Sequence, residues 1–268
     1  MTTIHPRDYR ISAAGGTLFA RQWEPEEACH EGRAPIVLFH DSLGCVALWR
    51  DFPRALALAT RRSVVAYDRL GFGESDACAG ELPAGFIHEE ASEVVPALLE
   101  ALGHDDFIAF GHSVGGGMAS VSAALMPARC RGVISESAQA FVEERTLAGI
   151  REARQAFARP EQMARLRKYH GDKAEWVLSA WVDTWLSEAF RQWNLNESLA
   201  RVQCPVLAIH GDSDEYGSLQ QPERIASLPP GPTTLAVLEG CGHVPHREQP
   251  DQVLEAVTAF LQGSQIAE

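Results

Sequence analysis

The stretch "IAFGHSVGGGM", residues 108–118, is where the reading of the fold turns. An apolar run stops, Ser113 stands between glycines, and a run of small residues begins. A chain passing from strand to helix through so sharp a turn exposes the serine hydroxyl, and Gly111 and Gly115 let the two elements approach closely. The helix that follows aims free backbone N–H groups and a positive dipole end at the same spot. By itself the pattern also fits a plain glycine-rich turn, so the flanking sequence has to decide.

Upstream, "DYRISAAGG" and "TLFARQW" alternate around Gly15–Gly16 and predict a β-hairpin. "APIVLFH", "SVVAYD" and "DFIAFG" are continuous apolar runs, the mark of strands buried on both faces. Helical patterns separate them, from about Ala47 to Thr60 and through "FIHEEASEVVPALLEALG". Downstream come the helix "GGGMASVSAALM" and the strand "CRGVISES", then only helical segments between about Ala138 and Ala200. Alternation resumes with "PVLAIHG", a helix near "QPERIASL", "TTLAVLEG" and the helix "PDQVLEAVTAFLQG". Such alternation predicts an α/β fold, a mostly parallel central sheet with helices on both faces. The division expected is a core of residues 1–137 and 200–268, with a helical lid or cap inserted over 138–199.

The chain has 268 residues, enough to bury a sizeable core, and a formal net charge of -13. An anionic bilayer or a duplex would repel that charge, which argues against nucleic-acid and membrane partners. "MTTIHPRDYR" has no apolar segment of a signal peptide, and no run approaches the roughly 20 apolar residues of a membrane span. The six cysteines are scattered with no CxxC, which predicts free thiols, no metal site and a cytoplasmic address. His5, Cys29 and His30 are read as solvated loop residues.

Serine is a weak nucleophile, so it needs a base, and the base needs an orienting acid. "VLEGCGHVPHREQP" places His243 beyond the last strand, and "VLAIHGDSDEYG" places Asp214 beyond the strand before it. With "FHDSLG", "YDRLGFGESD" and "GHSVGG" preceding them in order, the chain resembles the α/β-hydrolases over nearly its whole length. The resemblance implies a Ser113–Asp214–His243 triad acting on a small-molecule ester, with no cofactor. Asp212 and Glu136 are rival acids, and His246 is a rival base, otherwise expected as a surface or lid contact. His112 is expected as a packed neighbour, and Asp68, Gly71 and Gly73 as structural residues.

Acyl transfer builds negative charge on a carbonyl oxygen, and the resemblance implies backbone N–H donors from Val114 and Ser42. The family usually carries glycine where this chain has Asp41. A carboxylate beside an oxyanion is unhelpful unless it points away or pairs with a base, so Asp41 is read as a loop cap. Trp181 and Trp185, four apart on one helix face, are candidates for lining the acyl pocket. Residues 139–170 carry seven Lys or Arg against four Glu, read as a solvated face.

The function expected is a serine hydrolase cleaving a small carboxylic ester, lactone or thioester through an acyl-enzyme. Ser113 argues against the Asp-nucleophile dehalogenases and epoxide hydrolases of this fold. Carbon–carbon bond hydrolases of ring-cleavage products share the triad, but tend to have Asn where His112 stands and Trp soon after the base. A ligand receptor on the same scaffold is the alternative from another class. Fold alone does not choose among them.

Overall fold

The computed structural model describes residues 4–25, 32–264 and 266. Cys29 and His30 lie outside the described residues, and His5, expected in a loop, lies in the first strand, paired with Glu24. The N-terminal hairpin is present: β1 (Ile4–Ala13) pairs antiparallel with β2 (Gly16–Pro25), Ala13 opposite Gly16. Its two loop residues, Ala14 and Gly15, have φ of 53° and 76°, the paired left-handed conformations that a tight hairpin needs to match strand twist.

Six further strands follow: β3 (Ile36–Phe39), β4 (Val64–Tyr67), β5 (Phe107–His112), β6 (Cys130–Glu136), β7 (Val206–Gly211) and β8 (Thr233–Leu238). All eight form one sheet in the order β1-β2-β4-β3-β5-β6-β7-β8. β2 runs antiparallel to β4, and every pairing beyond it is parallel. The fold is α/β, as the alternation predicts.

The helices are α1 (Phe52–Thr60), α2 (Phe86–Glu89), α3 (Val95–Leu102), α4 (Val114–Leu125), α5 (Glu144–Phe157), α6 (Pro160–His170), α7 (Ala174–Leu186), α8 (Asn196–Leu199), α9 (Gln220–Ser227), α10 (Pro245–Glu248) and α11 (Pro250–Gly263). Successive strand residues point to opposite faces, so each apolar run feeds two cores at once. Ile36, Leu38, Ile108 and Phe110 pack with α1 and α11 through Leu56, Val257 and their neighbours. Val37, Phe39, Phe107 and Ala109 pack on the other face with α3 and α4 through Leu98 and Met118. A strand that is apolar at every position is what two covered faces require.

Two helices are less regular than their patterns predict. The segment expected over 47–60 is a 3₁₀ turn at Val46–Trp49, then a break at Arg50 with φ 54°, then α1. Pro53 explains the restart, since it lacks an N–H and belongs in a first turn. Between α2 and α3 lies a π turn, Glu90–Val94. Pro96 follows it and cannot donate to the Ser92 carbonyl, which relaxes the ladder there.

Helices α5 to α8 occupy the connection from β6 to β7. Leu166 of α6 and Ala174 and Val177 of α7 share a small core with Phe72. The Asp68–Gly73 loop is built around the Asp68 carboxylate, which accepts from the amides of Val46 and Glu74 at 2.6 and 2.7 Å. Among the described residues no helix is long and apolar enough to cross a membrane. Cys45, Cys78, Cys130, Cys204 and Cys241 carry free thiols.

Candidate active site

Ser113 follows β5 directly and precedes the first residue of α4. Its φ of 55° and ψ of -126° are unfavourable for a residue with a side chain. The sequence around it makes the conformation tolerable: a Cβ on Gly115 would collide with the Phe39 carbonyl of the neighbouring strand. Without glycine there, α4 could not start so close to the sheet.

Two loops beyond the carboxyl ends of β7 and β8 meet at this turn. Asp214 sits in a turn closed by its own carboxylate, which accepts from the amides of Tyr216 at 2.7 Å and Gly217 at 3.1 Å. Gly211 admits the second loop, since a Cβ there would strike the Cys241 and Gly242 carbonyls. His243 in that loop places Nδ1 2.9 and 2.8 Å from the two Asp214 carboxylate oxygens. Its Nε2 lies 3.1 Å from Ser113 Oγ. A carboxylate only accepts, so Nδ1 holds the proton and Nε2 is left to take one from the serine hydroxyl. Burial alone would raise the Asp214 pKa, but the hydrogen bond and charge of His243 outweigh it and hold the carboxyl below its usual range.

The rivals are sorted by distance. Asp212 is exposed and accepts from Gly240 N at 2.8 Å, away from the imidazole. Glu136 is buried, and its Oε2 lies 2.6 Å from Nδ1 of His246. His246 is therefore not the surface or lid contact expected; it is 4% exposed, with its ring 4.7 Å from that of Trp49. The rival acid and the rival base are partners of each other.

Sequence reasoning missed the role of two histidines in this architecture. His112, expected as a packed neighbour, has Nε2 2.8 Å from the carbonyl oxygen of His243 and Nδ1 3.3 Å from Asp41 Oδ2. His210, at the end of β7, has Nε2 3.2 Å from the Gly217 carbonyl and 3.4 Å from Asp214 Oδ2. No spacing rule marks either one; a histidine next to a turn is silent until the turn's partner is known. Ligand atoms of His112, Glu136 and His246 fall within 4.8 Å of one another. Both ring nitrogens of His112, His246 Nδ1 and Glu136 Oε2 are already engaged by one another, by Asp41 and by His243, whereas Glu136 Oε1 has no partner.

Val114, as the first residue of α4, has no carbonyl four residues back to occupy its N–H. Ser42, on the loop after β3, lines a cavity of about 230 Å³ together with Ser113 and His243. Thr146 and Ile150 of α5 and both Trp181 and Trp185 of α7 line the same cavity. The tryptophans differ in setting. Trp185 is 3% exposed and packs on Phe190 and Trp193. Trp181 is half-buried, 6.0 Å from the Tyr216 ring that in turn lies 4.8 Å from His243. Of the cations on α5 and α6, Arg151 and Arg167 pair with Glu144 and Glu175, as a solvated face would.

The profile of the Alpha/beta hydrolase family matches residues 36–256. The chain belongs to the alpha/beta hydrolase family. Within it, the chain is 32% identical to the mouse (Mus musculus) serine hydrolase BPHL over 198 residues, 69% of this chain and 64% of that protein. It is also 32% identical to human 1-acylglycerol-3-phosphate O-acyltransferase ABHD5 over 117 residues, 43% of this chain. The match spans about a third of that relative's length, 33%. Among solved structures, a bacterial membrane phospholipase A superposes with a TM-score of 0.78 at 20% identity, covering 98% of this chain and 87% of that one. An enol-lactonase from Burkholderia xenovorans superposes at 0.71 with 21% identity, covering 95% and 100%. These hydrolase likenesses are of fold.

Proposed function

We propose that this hydrolase cleaves small carboxylic esters, lactones or thioesters through an acyl-enzyme on Ser113. The observation that carries the reading is the continuous hydrogen-bonded line from Asp214 through His243 to a serine in a strained turn. In the first half-reaction Ser113 Oγ bonds to the acyl carbon while its proton passes to His243 Nε2. The negative charge on the carbonyl oxygen is met by the N–H groups of Val114 and Ser42 and by the positive end of α4. Asp214 stabilises the imidazolium through Nδ1–H. The carbonyl re-forms, the C–O or C–S bond breaks, and the leaving group takes the proton from Nε2. Water then repeats the sequence on the acyl-enzyme, with His243 as base, and releases the acid.

Size and charge narrow the substrate. A cavity of about 230 Å³ suits a short acyl group. Residues 138–199 serve as its lid, with α5 and α7 contributing Thr146, Ile150, Trp181 and Trp185 to the lining. Arg247 lines the same cavity; its Nη2 donates to the Leu48 carbonyl at 2.6 Å, and its buried Nε has no hydrogen-bond partner. Among the described residues no carboxylate lies within ion-pair reach of it, which favours substrates carrying negative charge. The free thiols suit a cytoplasmic protein.

The test is hydrolysis of a chain-length series of p-nitrophenyl esters, beside a lactone and a vinylogous 1,5-diketone, by wild type and Ser113→Ala. Loss of all ester turnover in the variant with folding retained supports the reading. Turnover of the diketone alone by the wild type would move it to carbon–carbon bond hydrolysis.

A further inference from the structure

Asp41 stands where a carboxylate should harm the reaction, one residue before the Ser42 amide. Its side chain is held twice. Oδ1 accepts from the Leu43 amide at 2.7 Å, closing the loop on itself. Oδ2 lies 3.3 Å from Nδ1 of His112, the residue immediately before the nucleophile. The other ring nitrogen of His112 lies 2.8 Å from the main-chain oxygen of His243.

The partners fix the protons. A carbonyl oxygen only accepts, so Nε2 carries hydrogen, and an ionised carboxylate only accepts, so Nδ1 carries hydrogen too. His112 is then an imidazolium, 1% exposed, joined to the oxyanion loop on one side and the base's loop on the other. Other groups facing it agree. Glu136 adds negative charge, and its Oε1 is buried without a hydrogen-bond partner. The His246 and His243 rings lie 5.0 and 5.2 Å from the His112 ring. His246 is kept neutral by burial, which outweighs the opposing charge of Glu136. Burial also works against the charge on His112, yet the Asp41 hydrogen bond and the charges of Glu136 and Asp41 prevail and raise its pKa. Burial would raise that of Asp41; His112 prevails and lowers it.

We propose that His112 is a positioning residue: a buried imidazolium that clips the oxyanion loop, through Asp41, to the main chain of His243. The clip neutralises the Asp41 carboxylate and turns it from the oxyanion. It also holds the Ser42 amide and the His243 imidazole in one frame around Ser113, two groups that no hydrogen bond of the triad connects. This inference rests on the acyl-enzyme reading above. Without it, Asp41 would be a loop cap and His112 a buried neighbour.

The experiment compares wild type, Asp41→Asn, His112→Gln and the double variant on a p-nitrophenyl ester, from pH 6 to 10, with Tm recorded. Asp41→Asn keeps an oxygen for the Leu43 amide but puts an NH2 donor in place of the charged acceptor that faces His112. It should lower kcat about 10- to 100-fold with KM within about threefold. The alkaline limb of its kcat profile should move to lower pH, because the imidazolium has lost its carboxylate. The double variant should lose no more than the worse single one, the mark of residues acting as a unit. A kcat within about twofold of wild type and an unmoved alkaline limb in Asp41→Asn, even with a lower Tm, would overturn the clip and leave a structural cap. If Asp41→Asn does not fold, Asp41→Ser, which keeps an oxygen for the Leu43 amide, is judged by the same two outcomes. Stoichiometric labelling of wild-type Ser113 by a fluorophosphonate separates failure of the clip from failure of the acyl-enzyme reading.

Discussion

Glu136 and His246 form a buried hydrogen-bonded pair with a 2.6 Å contact, one strand away from the Asp214–His243 pair of 2.8 Å. The two carboxylate–imidazole pairs differ in what lies beyond the ring. His243 reaches Ser113, whereas His246 packs against Trp49 and Phe52. Chemistry is therefore expected of the first pair and stability of the second.

Exchange of the acids tests that assignment. Asp214→Asn should lower kcat by about 10⁴, through loss of the required tautomer, along with some loss of Tm from the neutralised carboxylate. Glu136→Gln should lower Tm, since His246 loses its charged acceptor in a buried site, while kcat falls far less. Steady-state kinetics and thermal unfolding on both variants decide it, and a larger loss of kcat at Glu136 would reverse the roles.

The bases are compared in the same way. His243→Ala should cost kcat at least as much as Asp214→Asn, and His246→Ala should cost mainly stability. The opposite ordering would show that the imidazole of His246 does the work.

Stability should fall on acidification before the carboxylates titrate. Burial lowers the pKa of His40, His104, His170, His210 and His246. For each, the stabilising contribution is complete above the unfolded value of about 6.5 and is lost as pH falls through the folded value. Asp41, Glu136 and Asp214, all lowered, add their losses below about pH 4. His112 runs the other way: its contribution is complete below about 6.5 and is lost as pH rises through its raised folded value. Asp68 and Glu90, raised by burial, run the same way as His112. The five histidines against these three groups predict a Tm lower at pH 5 than at pH 7, read by calorimetry. A higher Tm at pH 5 would contradict it.

The strand alternation, the turn at Ser113 and the loops carrying Asp214 and His243 were legible because each leaves a local mark: an apolar run, a glycine on either side, a strand end. Asp41 was legible only as an anomaly. Its pairing with His112 joins the ends of two neighbouring strands, β3 and β5, and strand order is absent from local pattern. The pairing of Glu136 with His246 spans 110 positions, and no periodicity reports it. The break at Arg50 was hidden for another reason, since its φ of 54° belongs to a residue with no left-handed preference.

Substrate charge should register at Arg247. Arg247→Gln is expected to lower the preference for a p-nitrophenyl hemisuccinate over the matching neutral ester, as a ratio of kcat/KM, by roughly tenfold. An unchanged ratio would remove the guanidinium from substrate recognition.

The glycine after the nucleophile turn sets a steric limit. Gly115→Ala would press a methyl group on the Phe39 carbonyl, and overpacking of this kind costs about 1–3 kcal/mol. Chemical denaturation should show that loss along with diminished ester turnover, because the Ser113 turn moves with it. Wild-type stability and rate would mean that the approach of α4 to β3 is looser than this.

Covalent trapping bears most directly on the hydroxyl of Ser113 as the attacking atom. Wild-type protein treated with a fluorophosphonate should gain one phosphonyl group per chain, located by peptide mass on Ser113, with activity lost in proportion. Ser113→Ala should take up none and hydrolyse no ester above background. A label on another residue, or ester turnover at the wild-type rate in folded Ser113→Ala, would contradict the account.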